Sequence, residues 1–398
     1  MFNRKEAANN LRTPGKPLEG LQVLDFSTVY AGPICARMLA DCGAEVVKVE
    51  TPGMGDITRG FKGVSRIYAH FNAGKSSIAI DLKTDSGQGI ARQLMSTVDV
   101  VVENYRPGVM EKFGLDYQSV KNEFPSLVYC SMSGFGQTGP FVDRAAYAPI
   151  AQASSGFDRA HMACQSDVQD RPHNSGIMVA DILTGAYAFG AIQTALLGRA
   201  KHGHGEHIDV TMLESMLTLI PPQLQNAQLS NPAAARSYCP VSVKDGFVMV
   251  CIISGKNLQG LCKAMGRPEL LEDERFEQTN RARNPQLLVA EIENWSTSLT
   301  AQECEERLNS CGVPCSIYNS PADMFDHPQT KARGTFTEIL DDDGAFLIQN
   351  LPFQFTGVNL ASSDLVAMLG QHTDEVLAKR LGLAEKQIVE LRKVGVVA

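Results

Sequence analysis

The sequence predicts an open α/β domain followed by a second, smaller α/β domain. Three observations predict it. From residue 21 onward, short apolar runs alternate with segments of helical periodicity, the pattern of a sheet covered by helices. The first strand–helix–strand unit spans roughly 30 residues, enough for a crossover between parallel strands. After Leu219 the text changes to PPQLQNAQLSNPAAARS, rich in Pro, Ala, Asn and Gln, and strand-like and helical runs then resume.

Taken in order, residues 1–17 are polar and read as a loose arm. LQVLDFS (21–27) is a buried strand that Gly32-Pro33 breaks, and ICARMLADCGA is an amphipathic helix ending at Gly43. EVVKVE (45–50), SIAIDL (77–82), DVVVEN (99–104) and LVYCSMS (127–133) are the next strands, with a helix over 85–97. A helix over 181–200 leads into the strand HIDVTML, which ends near Met212. The large domain therefore covers 18–219, residues 220–236 are a linker, 237–323 the small domain and 324–345 a second linker. The segment 346–398 starts strand-rich and closes with two short helices.

Hydrophobic content of 44% and charged content of 20% are those of a globular chain. No run of about 18 uninterrupted apolar residues is present, so no membrane partner is expected. A net charge of −8 argues against a nucleic-acid partner but leaves room for a phosphorylated ligand, which needs only local cations. The N-terminus has no apolar signal core, and ten cysteines lie scattered without C-x-x-C pairs, which predicts reduced thiols and a cytoplasmic location.

The stretch IMVADILTGAYAFGAIQTALL (177–197) holds one charged residue, Asp181. The helix predicted there puts this carboxylate in its first turn, where orphan N–H groups favour an anion. It is either an N-cap or a carboxylate held at the edge of a cleft, able to act as a nucleophile. Gly134-Phe135-Gly136-Gln137-Thr138-Gly139 has G-x-G-x-x-G spacing, but Pro140 and irregular text follow in place of a helix, so it reads as a tight loop at the mouth of a cleft. HGHGEH (202–207) reads as a solvated turn, and no metal site is expected. Lys75, Lys83, Arg106 and Lys112 fall near predicted strand ends, where open α/β sheets bind ligands.

The run PLEGLQVLDFSTVYAGP, LADCGAEVVKVETPGMGDITR, FNAGKSSIAIDLKT, VDVVVENYRPGVMEKFGLDY, SMSGFGQTGP, VADILTG, GEHIDVTMLESML and GQHTDEVLAKRLGL closely resembles the family III CoA transferases, the formyl-CoA and carnitine CoA transferase group. The resemblance runs from about residue 17 to the C-terminus. It implies a Rossmann-like large domain, to which 346–398 returns, and two chains interlocked as a homodimer. It makes Asp181 the catalytic aspartate and Val29, Ile80, Lys83, Asn104, Tyr105, Lys112 and Met212 the coenzyme A contacts. No tightly bound cofactor is implied; CoA enters as acyl-CoA substrate, with a small carboxylic acid as the other partner. The chain departs from the family at Thr51, where some members place an arginine beside the adenine, and at Tyr30 and Ser133, where the formyl-CoA enzyme has glutamine and lysine.

The chemistry follows from residue types. An ionised carboxylate attacks a thioester without a general base and passes through a mixed anhydride and an aspartyl-CoA thioester. The developing oxyanion needs N–H donors, for which Gly134 and Gly136, or a glycine loop near Gly255, are the choices. Tyr30, Arg59 and Tyr147 are expected to face a polar acid, which favours a short dicarboxylate. A racemase of the same fold needs an acid/base pair in the loop after the glycine turn, and here Tyr147-Ala148 stands in its place. A CoA-binding protein without catalysis has no need of Asp181.

Overall fold

The structure, a computed structural model, describes residues 15–60, 66–164, 171–172, 174–230, 239–341 and 343–398. Six strands form one sheet: β1 (Gln22–Asp25), β2 (Glu45–Glu50), β3 (Ser76–Ala79), β4 (Val100–Glu103), β5 (Val128–Ser133) and β6 (His207–Thr211). Their order is β3-β2-β1-β4-β5-β6 and every pair is parallel. Because both faces are covered, β1 to β5 are buried almost throughout rather than alternating, and Val100, Val101 and Val102 are all fully buried. The order reverses between β1 and β4, and the loops leaving the carboxyl ends of these two strands flank the crevice where such sheets bind ligands.

The chain divides into two compact units. The first comprises residues 1–155, 176–219 and 328–398; the second comprises 156–175 and 220–327. In the first unit the core gathers Leu24, Ile78, Leu94, Val101 and Tyr129 with Val376, Leu377 and Ile388 from the C-terminal helices Thr373–Leu381 and Glu385–Lys393. Each such side chain contributes roughly 1.5–3 kcal/mol on burial. Ile80, just past β3, also bridges to Val397. The second unit has an antiparallel sheet of β7 (Pro240–Val243), β8 (Gly246–Val250) and β9 (Cys315–Ile317). Its helices Gly255–Met265, Pro285–Ser296 and Ala301–Ser310 close a core around Val248, Leu261, Phe276 and Leu308.

The structure corrects several sequence boundaries. The stretch read as a linker, 220–236, contains the helix Pro221–Asn226, started by proline at its first turn, while 231–236 lie outside the described residues. The connector expected over 324–345 holds the helix Pro328–Ala332 and most of a hairpin, β10 (Phe336–Asp341) with β11 (Gly344–Gln349), so the boundary drawn at 346 cuts a strand. Strand β6 stops at Thr211, whose hydroxyl accepts the Glu214 N–H and starts the helix Met212–Leu217. Of residues 141–150, read as irregular, the last three begin the helix Ala148–Ser154. Of the expected arm, only 15–17 are among the described residues.

The helix Val179–His202 is long and apolar enough, by length and composition, to cross a membrane. Within the first unit it packs on the helices Ala31–Asp41, Ala148–Ser154 and Met212–Leu217 and on β5 and β6.

Candidate active site

Asp181 lies in the first turn of the helix Val179–His202 but does not cap it; the N-cap is Met178, which offers no side-chain bond. The carboxylate instead faces the backbone N–H of Ala31, the first residue of the helix Ala31–Asp41, which lowers its pKa. Two helices thus meet at this carboxylate, and small residues let them approach. A Cβ built on Gly185, one turn after Asp181, would lie 2.6 Å from the Ala31 carbonyl oxygen and 3.0 Å from the Ile34 Cβ. Thr184 turns its hydroxyl inward, donating to Ala180 O at 2.7 Å. Asp181 is only 8% exposed. Burial raises its carboxyl to about 6, with the Ala31 N–H working the other way. An anion there is more basic than a surface aspartate yet remains largely ionised at neutral pH.

The loop that leads into Ala31 is built with unusual constraint. Val29 has φ of 70°, the single non-glycine residue with positive φ among the described residues. A β-branched residue resists this region, at a cost on the order of 1–3 kcal/mol. Side chains hold the loop on every side. Asn104, after β4, accepts the Thr28 N–H and donates to the Thr28 carbonyl, both at 2.8 Å. The Val29 N–H points to both Asp56 oxygens at 3.2 and 3.3 Å. Lys48, inside β2, donates to Ser27 O at 2.6 Å and pairs with Asp56 at 3.0 Å. Beneath them Asp25 accepts the Ser27 N–H at 2.9 Å and pairs with Lys75 at 2.8 Å. Lys75 also donates to Pro33 O at 3.0 Å. Burial would push the Asp25 carboxyl up, but Lys75 and Lys48 bring it below the ordinary range.

The fold brings most of the sequence-predicted residues to the carboxyl edge of the sheet. Val29 follows β1, Ile80 and Lys83 follow β3, Asn104 and Tyr105 follow β4, and Met212 follows β6. Lys112 ends the short helix Val109–Lys112 beyond β4. Lys83 and Lys112 are exposed and have no acidic partner among the described residues. Tyr105 packs on the core and Ile80 is buried. Tyr30 stacks edge-on against Phe71 at 4.8 Å, and its hydroxyl is raised by burial and then by the charge of Asp181. Tyr147 is 67% exposed, just before the helix Ala148–Ser154.

Two expectations change with the geometry. Arg59 was expected to face a substrate acid. Its guanidinium instead grips Glu50 through two bonds of 2.7 Å, donates to Ala367 O at 3.0 Å and lies over the Tyr68 ring at 3.7 Å. Its donors are engaged inside the fold, so it braces the loop after β2. In the glycine loop, the Gly136 N–H already donates to Ser133 Oγ and the Gln137 N–H to Asp209, each at 2.8 Å. Gly134 is needed for packing, since a Cβ there would lie 2.3 Å from the Ala146 Cβ. The Gly136 amide is therefore not available to a reacting oxygen. No helix opens between Gly139 and Tyr147, which removes the dinucleotide reading of that spacing.

The sequence reading missed Lys48, Asp56 and Gln152. Lys48 lies in EVVKVE, where alternation suggests a solvent-facing charge, yet it is 0% exposed. Gln152 is also 0% exposed, and neither end of its amide has a partner among the described residues. No local signal marks it. In the histidine tract, His207 stacks on Tyr117 at 4.7 Å and meets Ser131 Oγ at 3.1 Å. Among the described residues no three His, Cys, Asp or Glu converge as metal ligands.

A family model described as CoA-transferase family III matches residues 18–373. A succinate–glutarate CoA-transferase of Agrobacterium fabrum is 35% identical over 390 residues, covering 91% of this chain and 95% of that protein. The human succinyl-CoA:glutarate CoA-transferase is 32% identical over 406 residues, covering 96% and 90%. The crystal structure of a CAIB/BAIF family protein from Brucella suis superposes with a TM-score of 0.79 at 33% identity, covering 92% of this chain and all of that one.

Proposed function

The chain belongs to CoA-transferase family III, and from that premise we propose that it moves CoA from an acyl-CoA thioester to a short dicarboxylic acid with Asp181 as the nucleophile. The observation that carries this reading is the Asp181 carboxylate itself: buried, raised to about 6, and held by the N–H of a neighbouring helix rather than capping its own. A carboxylate oxygen attacks the thioester carbonyl, the C–S bond breaks, and CoA leaves as thiolate. The thiolate then attacks the aspartyl carbonyl of the mixed anhydride, releasing the donor acid and leaving an aspartyl-CoA thioester. The acceptor carboxylate repeats the sequence in reverse, and Asp181 is regenerated as an anion.

Val29, Ile80, Asn104, Tyr105 and Met212 surround the coenzyme in this reading, and Lys83 and Lys112 meet its phosphates. The two lysines are exposed cations at the carboxyl edge, of the kind an acidic chain needs for a phosphorylated ligand. The dicarboxylate acceptor is supported by the relatives that act on succinate and glutarate, with Tyr30 beside Asp181 and Tyr147 exposed. CoA is a substrate and no resident cofactor is required. The working form is a homodimer with interlocked chains, supported by Ile182, Tyr187 and Leu197, which leave apolar surface exposed along the Asp181 helix. The ten cysteines are free thiols, in keeping with a cytoplasmic enzyme.

The test is a matrix of acyl-CoA donors and carboxylic acids, with hydroxylamine added to trap the activated aspartate. New thioesters with short dicarboxylates and a hydroxamate on Asp181 are expected. A hydroxamate on another carboxylate refutes the nucleophile assignment. In sedimentation, a monomer of 43.1 kDa at micromolar concentration refutes the dimer.

A further inference from the structure

We propose that the buried Lys48–Asp56 pair is a positioning device for the reaction, holding the strained Val29 turn so that the Ala31 N–H stays on the Asp181 carboxylate. The proposal rests on Asp181 as nucleophile and adds two residues that touch no substrate.

The geometry is a short chain of contacts. Both side chains are 0% exposed and lie 3.0 Å apart. Fully buried ion pairs seldom add net stability over apolar replacements, so stability alone is a weak reason for this one. What the pair does touch is the loop. Lys48 fixes the Ser27 carbonyl, and Asp56 receives the Val29 N–H. Asp56 is itself aimed by the Thr58 N–H and hydroxyl, at 3.0 and 2.8 Å. Its own N–H is tied to Glu50 at 2.9 Å. A backbone conformation that valine resists persists only where the surroundings over-determine it. Here the constraint comes from β2 and the loop after it, on one side, and from Asn104 on the other.

Only Tyr30 separates Val29 from Ala31. Relaxing φ at Val29 from 70° to the ordinary negative range rotates the chain that follows. The start of the helix Ala31–Asp41, whose Ala31 carbonyl lies 2.6 Å from where a Gly185 Cβ would sit, then shifts against the Asp181 helix, and the Ala31 N–H moves away from the nucleophile. A misplacement of about 1 Å at a reacting group costs up to ~100-fold in rate. Lys48 and Asp56 thereby act through Val29 and Ala31.

The experiment is a double-mutant cycle between the pair and the strained residue. Lys48→Met with Asp56→Ala removes both charges together, so neither is left buried alone. Expected is a fall in kcat of at least about tenfold, larger than any rise in KM for acyl-CoA, with an intact melting transition. Glycine takes positive φ without cost, so Val29→Gly frees the turn from its need for the clamp. Measured in the Val29→Gly background, the same double substitution is expected to lower kcat by less than about threefold. Equal losses in both backgrounds overturn the proposal, because a purely structural role is indifferent to Val29. No loss in either background overturns it as well. If the double variant does not fold, Asp56→Asn alone goes through the same cycle under the same criteria. Hydroxylamine labelling of the wild type separates this test from its premise: a hydroxamate away from Asp181 defeats the nucleophile reading, whereas one on Asp181 with equal losses defeats only the clamp.

Discussion

Replacing Asp181, the proposed nucleophile, is expected to make the protein more stable while abolishing its chemistry. Burial raises the Asp181 carboxyl from the ordinary 3.8 to about 6. The folded protein therefore holds this proton more tightly than the unfolded chain does. The group's contribution to stability is fully present below pH 3.8 and is lost as the pH rises through about 6. Above that the folded state carries a buried anion at a cost of up to ~3 kcal/mol. Asp181→Asn has nearly the same shape, keeps an oxygen for the Ala31 N–H and carries no charge. At pH 7.5 it should be more stable than wild type by about 1–3 kcal/mol, a rise of a few degrees in Tm. The gain should shrink as the pH falls toward 4.5. Turnover should fall on the order of 10³-fold or more, since no attacking anion remains. Thermal melts at the two pH values, beside a thioester-forming assay, measure both effects. A variant that is less stable at pH 7.5, or that keeps more than about a tenth of kcat (~1.4 kcal/mol of barrier), refutes the reasoning.

Three further outcomes are expected. kcat/KM should fall with decreasing pH below about 6, because the protonated Asp181 carboxyl is no nucleophile; a rate independent of pH down to 5 contradicts this. Lys83→Ala and Lys112→Ala should each weaken CoA binding several-fold and lessen its salt dependence, which calorimetry at two ionic strengths reads directly. Gly185→Ala should destabilise by roughly 1–3 kcal/mol and lower kcat, since its Cβ meets the Ala31 carbonyl at 2.6 Å. Gly190→Ala in the same helix, with open space at its Cβ, should instead stabilise by up to ~1 kcal/mol, and equal behaviour of the two variants refutes the close-crossing argument.

The parallel sheet was legible because its strands are short apolar runs separated by helical periodicity; β2 occupies the very residues EVVKVE. Asp181 was legible as a lone charge in an apolar stretch, but its partner was not, since Ala31 offers only a backbone N–H from 150 residues away. Lys48 was missed and Arg59 misjudged for the same reason. A charge looks solvated in sequence until the carboxylate that meets it is known, and Asp56 and Glu50 meet these two only through the turn after β2. The β10–β11 hairpin did have a local signal, Asp343-Gly344 between alternating runs, which the run of acidic residues before it obscured. The helix Pro221–Asn226 had one too, a proline at its start.

The pairing of Ile80 with Val397, and the seating of Val376, Leu377 and Ile388 against β3 and its neighbours, set an order of events in synthesis. Strands β1 to β5 leave the ribosome long before the helices that cover one part of their core. The second unit, by contrast, has its sheet and its apolar core within 239–317 and needs nothing made after residue 327. The segment made in the middle is thus free to fold first, while the six-stranded sheet waits with apolar surface uncovered for residues some 300 positions downstream. During that interval the nascent chain is most exposed to aggregation and most in need of chaperones. C-terminal truncations that spare every catalytic residue should therefore reduce yield before they reduce specific activity.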